Sequence, residues 1–187
     1  RITRSEIEVF RDVDLVFVTS ERLRHRAAAS RSVVHLFPFG VDLFAFERVR
    51  DEATPLPKEL EGRPRPIIGY VGGLHQWIDQ ELLCEVARAL PQASFVLVGP
   101  PQTDVSKLAV RDNIHLLGAR SHTEVPHFIK GFDVTLVPYR LSEYTANVYP
   151  TKLNEYLAMG KPVVSTELPE IKRINAEAAD IIATASD

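Results

Sequence analysis

Two charged residues carry the clearest chemistry in this chain. Lys152 and Glu155 lie in the run Tyr149-Pro150-Thr151-Lys152-Leu153-Asn154-Glu155-Tyr156-Leu157-Ala158-Met159-Gly160. A three-residue spacing on a helix puts them on one face. Lys152 falls in the first turn, where free N–H groups and the helix dipole already favour an anion. A cation there suits a diphosphate. A carboxylate one turn deeper can accept two hydrogen bonds from a sugar diol. An exposed ion pair would account for the same two residues without any ligand. Position favours the ligand, because the helix follows a strand end and a long polar loop. A second candidate is Gly72-Gly73-Leu74-His75. Two glycines after a buried strand let backbone amides approach an anion closely, although a tight strand-to-helix turn needs the same residues. The run Gly69-Tyr70-Val71-Gly72-Gly73 lacks the Gly-x-Gly-x-x-Gly spacing of dinucleotide folds.

Other constellations carry less. Asp12-Val13-Asp14 has the Asp-x-Asp form that holds a divalent ion in one class of sugar transferase, but it precedes a strand where that motif follows one. Asp14 reads as a strand-start residue. His122 and His127 sit five apart, a spacing that does not align on a helix face, and no cluster has zinc spacing. Ser20 lacks the Gly-x-Ser-x-Gly setting of a hydrolase nucleophile. Trp77 and Tyr70 can stack on a sugar or base, and serve equally as packing residues. Lys161 reads as a helix C-terminal charge.

The elements that must position these residues alternate. Short apolar runs at 15–18, 33–37, 67–71, 95–98, 114–117, 134–137 and 162–165 read as strands. Helices are expected around Ser5 to Phe10, from the Ser20 cap toward Ala29, over Ile78 to Leu90, after the capping box Ser121-His122-Thr123-Glu124, and over Pro150 to Met159. The stretch from Arg50 to Pro66 is polar and proline-rich and reads as a linker or surface loop. Continuous apolar strands alternating with helices predict an α/β fold: a Rossmann-like parallel sheet flanked by helices. Ligands of such a sheet bind at the carboxyl ends of its strands. That points to the loops 72–79, 99–104, 118–121 and 138–151. No internal repeat is visible beyond the strand–helix alternation.

Bulk properties close off several classes. At 45% hydrophobic over 187 residues the chain can bury a core. Lys plus Arg number 22 against 25 Asp plus Glu, a net charge of −3, so no general nucleic-acid binder is expected. Cys84 is the single cysteine, so no internal disulfide can form, which fits a reducing compartment. No apolar run approaches a transmembrane helix and no signal peptide is visible. The text opens in mid-pattern at Arg1 and reaches Asp187 without a closing amphipathic helix, so one folding unit of a longer protein is expected.

The segment from Tyr149 to Val164 resembles the donor-site signature of GT-B-fold glycosyltransferases of the family 4, or group 1, type. The likeness extends in order through Asp14–Ser20, Pro38–Asp42, Gly69–Gly72, Phe95–Gly99, Ile114–Gly118 and Phe132–Pro138. Its most specific part is the Pro-x-Lys-x-x-Glu-Tyr-Leu helix with Gly-Lys-Pro-Val-Val. The resemblance implies one half of a GT-B fold, the C-terminal donor-binding half, with a nucleoside-diphosphate sugar, UDP- or GDP-linked, as substrate. It implies no cofactor and no metal. Glu155 would match the second Glu of the family's Glu-x7-Glu motif, on the donor ribose. The first Glu falls at Asn147, a departure that leaves sugar identity and stereochemical course open. The family's phosphate-binding Arg and Lys fall at Gly73 and Ile78, so positive charge must come from Lys152, Arg140 and His75. Arg120 would lie in the loop against the base. Thr151, in the same turn as Lys152, completes the donor set with Gly72.

The expected organisation is residues 1–49 as the end of an N-terminal domain or crossover elements packing on the main domain, 50–66 as linker, and 67–187 as the nucleotide-sugar-binding domain. The expected function is donor binding for sugar transfer, in polysaccharide or glycoconjugate biosynthesis, with the acceptor held by a missing N-terminal domain. Alternatives are a sugar-nucleotide epimerase of the same fold, or a nucleotide- or protein-binding module that has lost transfer. The expected location is cytoplasmic, peripheral to a membrane through the missing half.

Overall fold

The computed structural model describes residues 2–29, 33–175 and 182–185. In chain order the elements are α1 (Ile2–Asp12), β1 (Val16–Val18), α2 (Glu21–Ala28), β2 (Val34–Leu36), α3 (Leu43–Arg50), β3 (Ile67–Val71), α4 (Gln80–Ala89), β4 (Ser94–Val98), α5 (Ser106–Ala109), β5 (Ile114–Gly118), α6 (Val125–Gly131), β6 (Val134–Val137), α7 (Lys152–Ala158), β7 (Val163–Thr166), α8 (Pro169–Asn175) and β8 (Ile182–Ala185), with 3-10 turns at Lys58–Leu60 and Thr145–Asn147. Six strands form one parallel sheet in the order β5-β4-β3-β6-β7-β8. The order reverses between β3 and β6, the doubly wound arrangement whose switch point opens a crevice beyond those two strands. Every residue of β3 and β4 is buried, as helices on both faces of a parallel sheet require. The core gathers Tyr70, Phe95, Phe128, Phe132 and Tyr156, all almost fully buried.

The helix starts follow local chemistry. Ser20, Asp42 and Asp79 cap α2, α3 and α4 by accepting from Leu23, Ala45 and Leu82 N–H. The Ser121 capping box forms in part: the Glu124 carboxylate accepts from the Ser121 N–H at 2.9 Å and from its hydroxyl at 2.6 Å.

Four differences from the sequence pattern have physical reasons. The run 15–18 is half-buried, with Val16 and Val18 inward and Phe17 60% exposed, because β1 pairs only with β2 in a separate two-stranded sheet. The sequence pattern assigns no element between Pro38 and Arg50, yet helix α3 forms there, capped by Asp42, and its Phe46 and Val49 join the main core. The 50–66 stretch contains a 3-10 turn whose Leu60 is buried. Beyond Ser165, where the apolar strand signal ends, the structure continues into α8 and β8, and β8 pairs with β7. The segment between them, 176–181, lies outside the described residues.

The first fifty residues attach to the sheet domain at defined points. The Ser20 hydroxyl donates to the Asn147 carbonyl at 3.1 Å, and the Glu21 N–H donates to Glu170 Oε1 at 2.6 Å. The Asn154 amide donates to the Phe39 carbonyl at 2.7 Å.

Candidate functional site

The loops after β3, β4 and β5 interlock at the carboxyl edge of the sheet. Gly72 N–H donates to the Val98 carbonyl at 2.8 Å, Gly99 N–H to the Gly118 carbonyl at 2.8 Å, and Leu74 N–H to the Pro100 carbonyl at 2.9 Å. Gly99 has φ +150°, and a Cβ on it would overlap the Gly72 carbonyl. Gly72 has φ +127°, which side chains rarely adopt. These glycines are therefore packing requirements, and at Gly73 the Gln102 and His75 side chains stand where a Cβ would be. Among the described residues, the Gly73 N–H has no acceptor.

Lys152 reaches this loop from α7. A Cβ on Gly72 would lie 3.1 Å from Lys152 Cε and 3.5 Å from Nζ, so the ammonium sits beside Gly72. Lys152 is 9% exposed. Its ammonium donates to the Tyr139 hydroxyl and lies 4.9 Å from the Tyr139 ring and 5.2 Å from the Tyr70 ring. Among the described residues no carboxylate pairs with it. A cation this buried ordinarily has a counter-charge or a ligand. Tyr70 donates to the Gly73 carbonyl at 3.1 Å, and the Tyr156 hydroxyl accepts from Val71 N–H at 3.0 Å. Burial pushes the Tyr70 phenol well above its usual range, so it stays a neutral donor. Tyr139 and Tyr70 thus build the seat of Lys152, and Tyr156 ties α7 to the β3 backbone that carries Tyr70. Sequence reading assigned none of them this role; Tyr139 follows the strand-ending Pro138, the only signal that marks it.

Glu155 lies one turn further along α7 and faces a cleft of about 690 Å³. Opposite it stand Gly40 and Val41, helix α3, and the loop with His122 and Thr123. Among the described residues Glu155 has no hydrogen-bond partner. Burial pushes its carboxyl above the usual range, against the opposing pull of Lys152 and His122. Thr151 lines the same cleft. His122 and His127, set aside as metal ligands on spacing, both line it too.

The remaining candidates are placed as follows. His75 stacks on Trp77, centroids 3.9 Å apart, and Trp77 in turn meets Tyr144 at 5.2 Å. Burial and then the Lys152 charge hold the His75 imidazole below its usual value, so it is neutral at pH 7. Arg140 is on the adjoining loop, but its guanidinium turns toward Asp79 at 3.9 Å. Asn147 donates to the Glu143 carbonyl at 2.6 Å and lines a second cleft, not the one Glu155 faces. Arg120 is committed elsewhere: it donates to the Leu117 and Ala119 carbonyls at 2.7 and 2.9 Å, pairs with Glu59 at 2.8 Å, and covers the Phe128 ring. The structure therefore brings Gly72, Gly73, His75 and Lys152 together, with Glu155 and Thr151 beside them. It does not bring Asn147, Arg140 or Arg120 into that group. Among the described residues no group of three His, Cys, Asp or Glu could hold a metal ion, and no helix is long and apolar enough to cross a membrane.

The family profile described as "Glycosyl transferases group 1" matches residues 65–187. The chain is 32% identical over 181 residues to the Bacillus subtilis (strain 168) protein named "Putative teichuronic acid biosynthesis glycosyltransferase TuaH", covering 92% of this chain and 45% of that protein. Among solved structures, Anabaena HepE in complex with UDP superposes with a TM-score of 0.68 at 15% identity, over 99% of this chain and 54% of that one. An E. coli trehalose-6-phosphate structure bound with UDP-2-fluoro glucose gives 0.70 at 14% identity, over 95% and 51%. The structural likenesses show the fold, a Rossmann-like half of the GT-B type. The chain spans about half the length of the proteins it matches.

Proposed function

We infer the function from one premise: this chain belongs to the group 1 glycosyl transferases. It is the half that binds a nucleoside-diphosphate sugar donor for transfer to an acceptor held by a preceding domain. The observation that carries this reading is a pair of charges near the switch point that have no ion-pair partner among the described residues. Among the described residues Lys152 is buried against Gly72 without a carboxylate partner, and Glu155 is half-buried without a hydrogen bond beside the cleft that it lines with His122 and Thr123. Both cost folding stability when empty, and both are satisfied by one ligand. The ammonium and the bare Gly73 amide take the diphosphate, and the Glu155 carboxylate takes the ribose diol. His122 and Thr123 stand where the base would enter. Thr151, between diphosphate and ribose, supports the same ligand.

Catalysis in this half amounts to holding the donor and stabilising the leaving diphosphate. A base acting on the acceptor belongs to the preceding domain. Among the candidate nucleotides, UDP is favoured over GDP because two superposable structures carry UDP or a UDP sugar. The relative's name, which specifies teichuronic acid biosynthesis, supports a role in polysaccharide or glycoconjugate synthesis. Donor binding needs no cofactor and no divalent ion, with Lys152 and backbone amides in the place of a metal.

The test is ligand-induced stabilisation by UDP, GDP and ADP in EDTA. A nucleotide bound only by the native state at about 100 times its dissociation constant adds about 2.7 kcal/mol. UDP is expected to do so without added metal. A flat response to all three nucleotides removes the donor reading. A response that appears only with magnesium or manganese removes its metal-independent part.

A further inference from the structure

A second cleft, also about 690 Å³, lies on the other side of Thr151, between α2 and the 143–149 segment. Thr151 is the one residue that lines both clefts. Phe39, Tyr144 and Tyr149 line the second cleft, with Arg26 and Glu143 as its charged members. Tyr144 is 60% exposed and ends the row of rings that begins at His75 beside the Gly72-Gly73 loop. Phe39 and Tyr149 face each other at 6.0 Å on the opposite wall. Tyr149 is fixed there by donating to Asn154 Oδ1 at 2.7 Å, and Asn154 is itself tied to the Phe39 carbonyl. Glu143 lines the same cleft, and its carboxylate is exposed and has no partner among the described residues.

Flat rings alternating with hydrogen-bonding groups match a pyranose, which offers C–H faces and hydroxyl edges together. Arg26, paired with Glu6, lines the cleft as well, so the cleft presents a donor and an acceptor beside the rings, as a polyhydroxylated ring requires. The volume lies within the ~300–1,000 Å³ of small-molecule sites. The position is also informative. The two clefts meet at Thr151, so a ring held in the second lies next to the donor proposed for the first.

We propose that this cleft binds a pyranose ring of the acceptor saccharide, with Tyr144 as its stacking face and Glu143 accepting from its hydroxyls. The inference rests on the donor reading above. It means that the donor half contributes to acceptor choice through the 143–149 segment.

Saturation-transfer NMR on the UDP-saturated chain tests it, using methyl β-glycosides of glucose, galactose and N-acetylglucosamine as probes. Irradiating the aromatic protons is expected to saturate the ring protons of at least one glycoside. Tyr144→Ala is expected to lower that signal about fivefold, the scale of one lost aromatic contact, while the UDP signal in the same tube persists. Tyr144→Phe is expected to retain both. Replacing UDP by UDP-glucose is expected to leave the glycoside signal in place. Displacement by UDP-glucose would assign the cleft to the donor's own sugar and overturn the proposal. A UDP signal with no glycoside signal, or equal loss of both in Tyr144→Ala, also overturns it while leaving the donor reading standing. Absence of the UDP signal in the unsubstituted chain removes the donor reading and this inference with it.

Discussion

Lys152 and Arg120 follow from the same sheet edge, one on the helix after β6 and one just past β5, yet their charges are handled in opposite ways. Arg120 donates to two carbonyls of its own loop, pairs with Glu59 and lies over Phe128. Everything a guanidinium needs is supplied by the chain. Lys152 is more deeply buried and is given one phenol and two ring faces. The closed arrangement around Arg120 ties the 3-10 turn at Lys58–Leu60 to the β5–α6 loop. The open one leaves a debt of solvation that only a ligand settles. Both positions read alike in sequence, as a cation near a strand end. What separates them is whether a carboxylate lies within reach, and Glu59 is 61 residues away in the chain.

Four substitutions sharpen this contrast, beginning with the scaffold both regions share. Gly99→Ala places a methyl group against the Gly72 carbonyl at a φ that side chains avoid. It is expected to cost about 3 kcal/mol of unfolding free energy in urea titration, the upper end of overpacking, and to abolish nucleotide binding with it. Full stability in Gly99→Ala would mean that the loops do not interlock as described. Lys152→Ala is expected to weaken UDP by about 2 kcal/mol while uridine binding changes little, since base and ribose contacts remain. Its stability is expected not to fall, because a buried charge without a counter-charge is removed. Equal losses for UDP and uridine in calorimetry would take Lys152 off the diphosphate.

Glu155→Gln keeps the shape and removes the charge, and is expected to weaken UDP and uridine alike by about 1.5 kcal/mol. Unchanged affinity for both would remove Glu155 from the ribose. Arg120→Ala supplies the opposite pattern: about 1 kcal/mol of stability lost with the Glu59 pair and the loop carbonyls, and UDP affinity unaltered. A nucleotide defect there, in a variant that remains folded, would return Arg120 to the base and erase the contrast.

The sheet was legible because its central strands are continuous apolar runs, which helices on both faces demand and which few other settings tolerate. Ile67–Val71 and Ser94–Val98 agree with the sequence boundaries to within a residue. Legibility fell where burial became one-sided or composition became mixed. Phe44 and Phe46 are separated in helix α3 by direction, one exposed and one in the core, and nothing in Leu43-Phe44-Ala45-Phe46 announces that. Of the site, sequence marks the residues that bear charge and the glycines that bring backbone close. It does not mark the partners. Tyr139, Tyr70 and Tyr156 are core-type residues by composition, and their hydroxyls acquire meaning only once β3, β6 and α7 converge. The same limit applies to Asn147, which is eight positions before Glu155 in the chain but turned into the other cleft. Counting along a chain fixes a helix face; it does not fix the direction of a loop.

The smallest expected effect is a pH dependence that separates the open site from the closed one. Burial raises the Glu155 carboxyl above its ordinary value of 4.5. The folded chain then holds that proton more tightly than the unfolded chain, so this contribution to stability is fully present below 4.5 and is lost as pH rises through the raised value. Glu59 behaves oppositely. A backbone hydrogen bond and Arg120 hold its carboxyl below 4.5, so its contribution is present above 4.5 and is lost as pH falls through the lowered value. The two windows lie on either side of 4.5. His75 is held below 6.5, and it adds a rise of stability with pH that overlaps the Glu155 window. The Glu155 share must therefore be read as the difference between the native chain and Glu155→Gln. Above pH 4.5 the native chain without ligand is expected to lose stability relative to Glu155→Gln as pH rises. Over the same interval its UDP affinity is expected to gain on that of Glu155→Gln, since the ionised carboxylate is the form that accepts from the ribose hydroxyls. Parallel curves for both proteins, in thermal unfolding and in UDP calorimetry, would show that Glu155 titrates normally and that its burial carries no strain for a ligand to relieve.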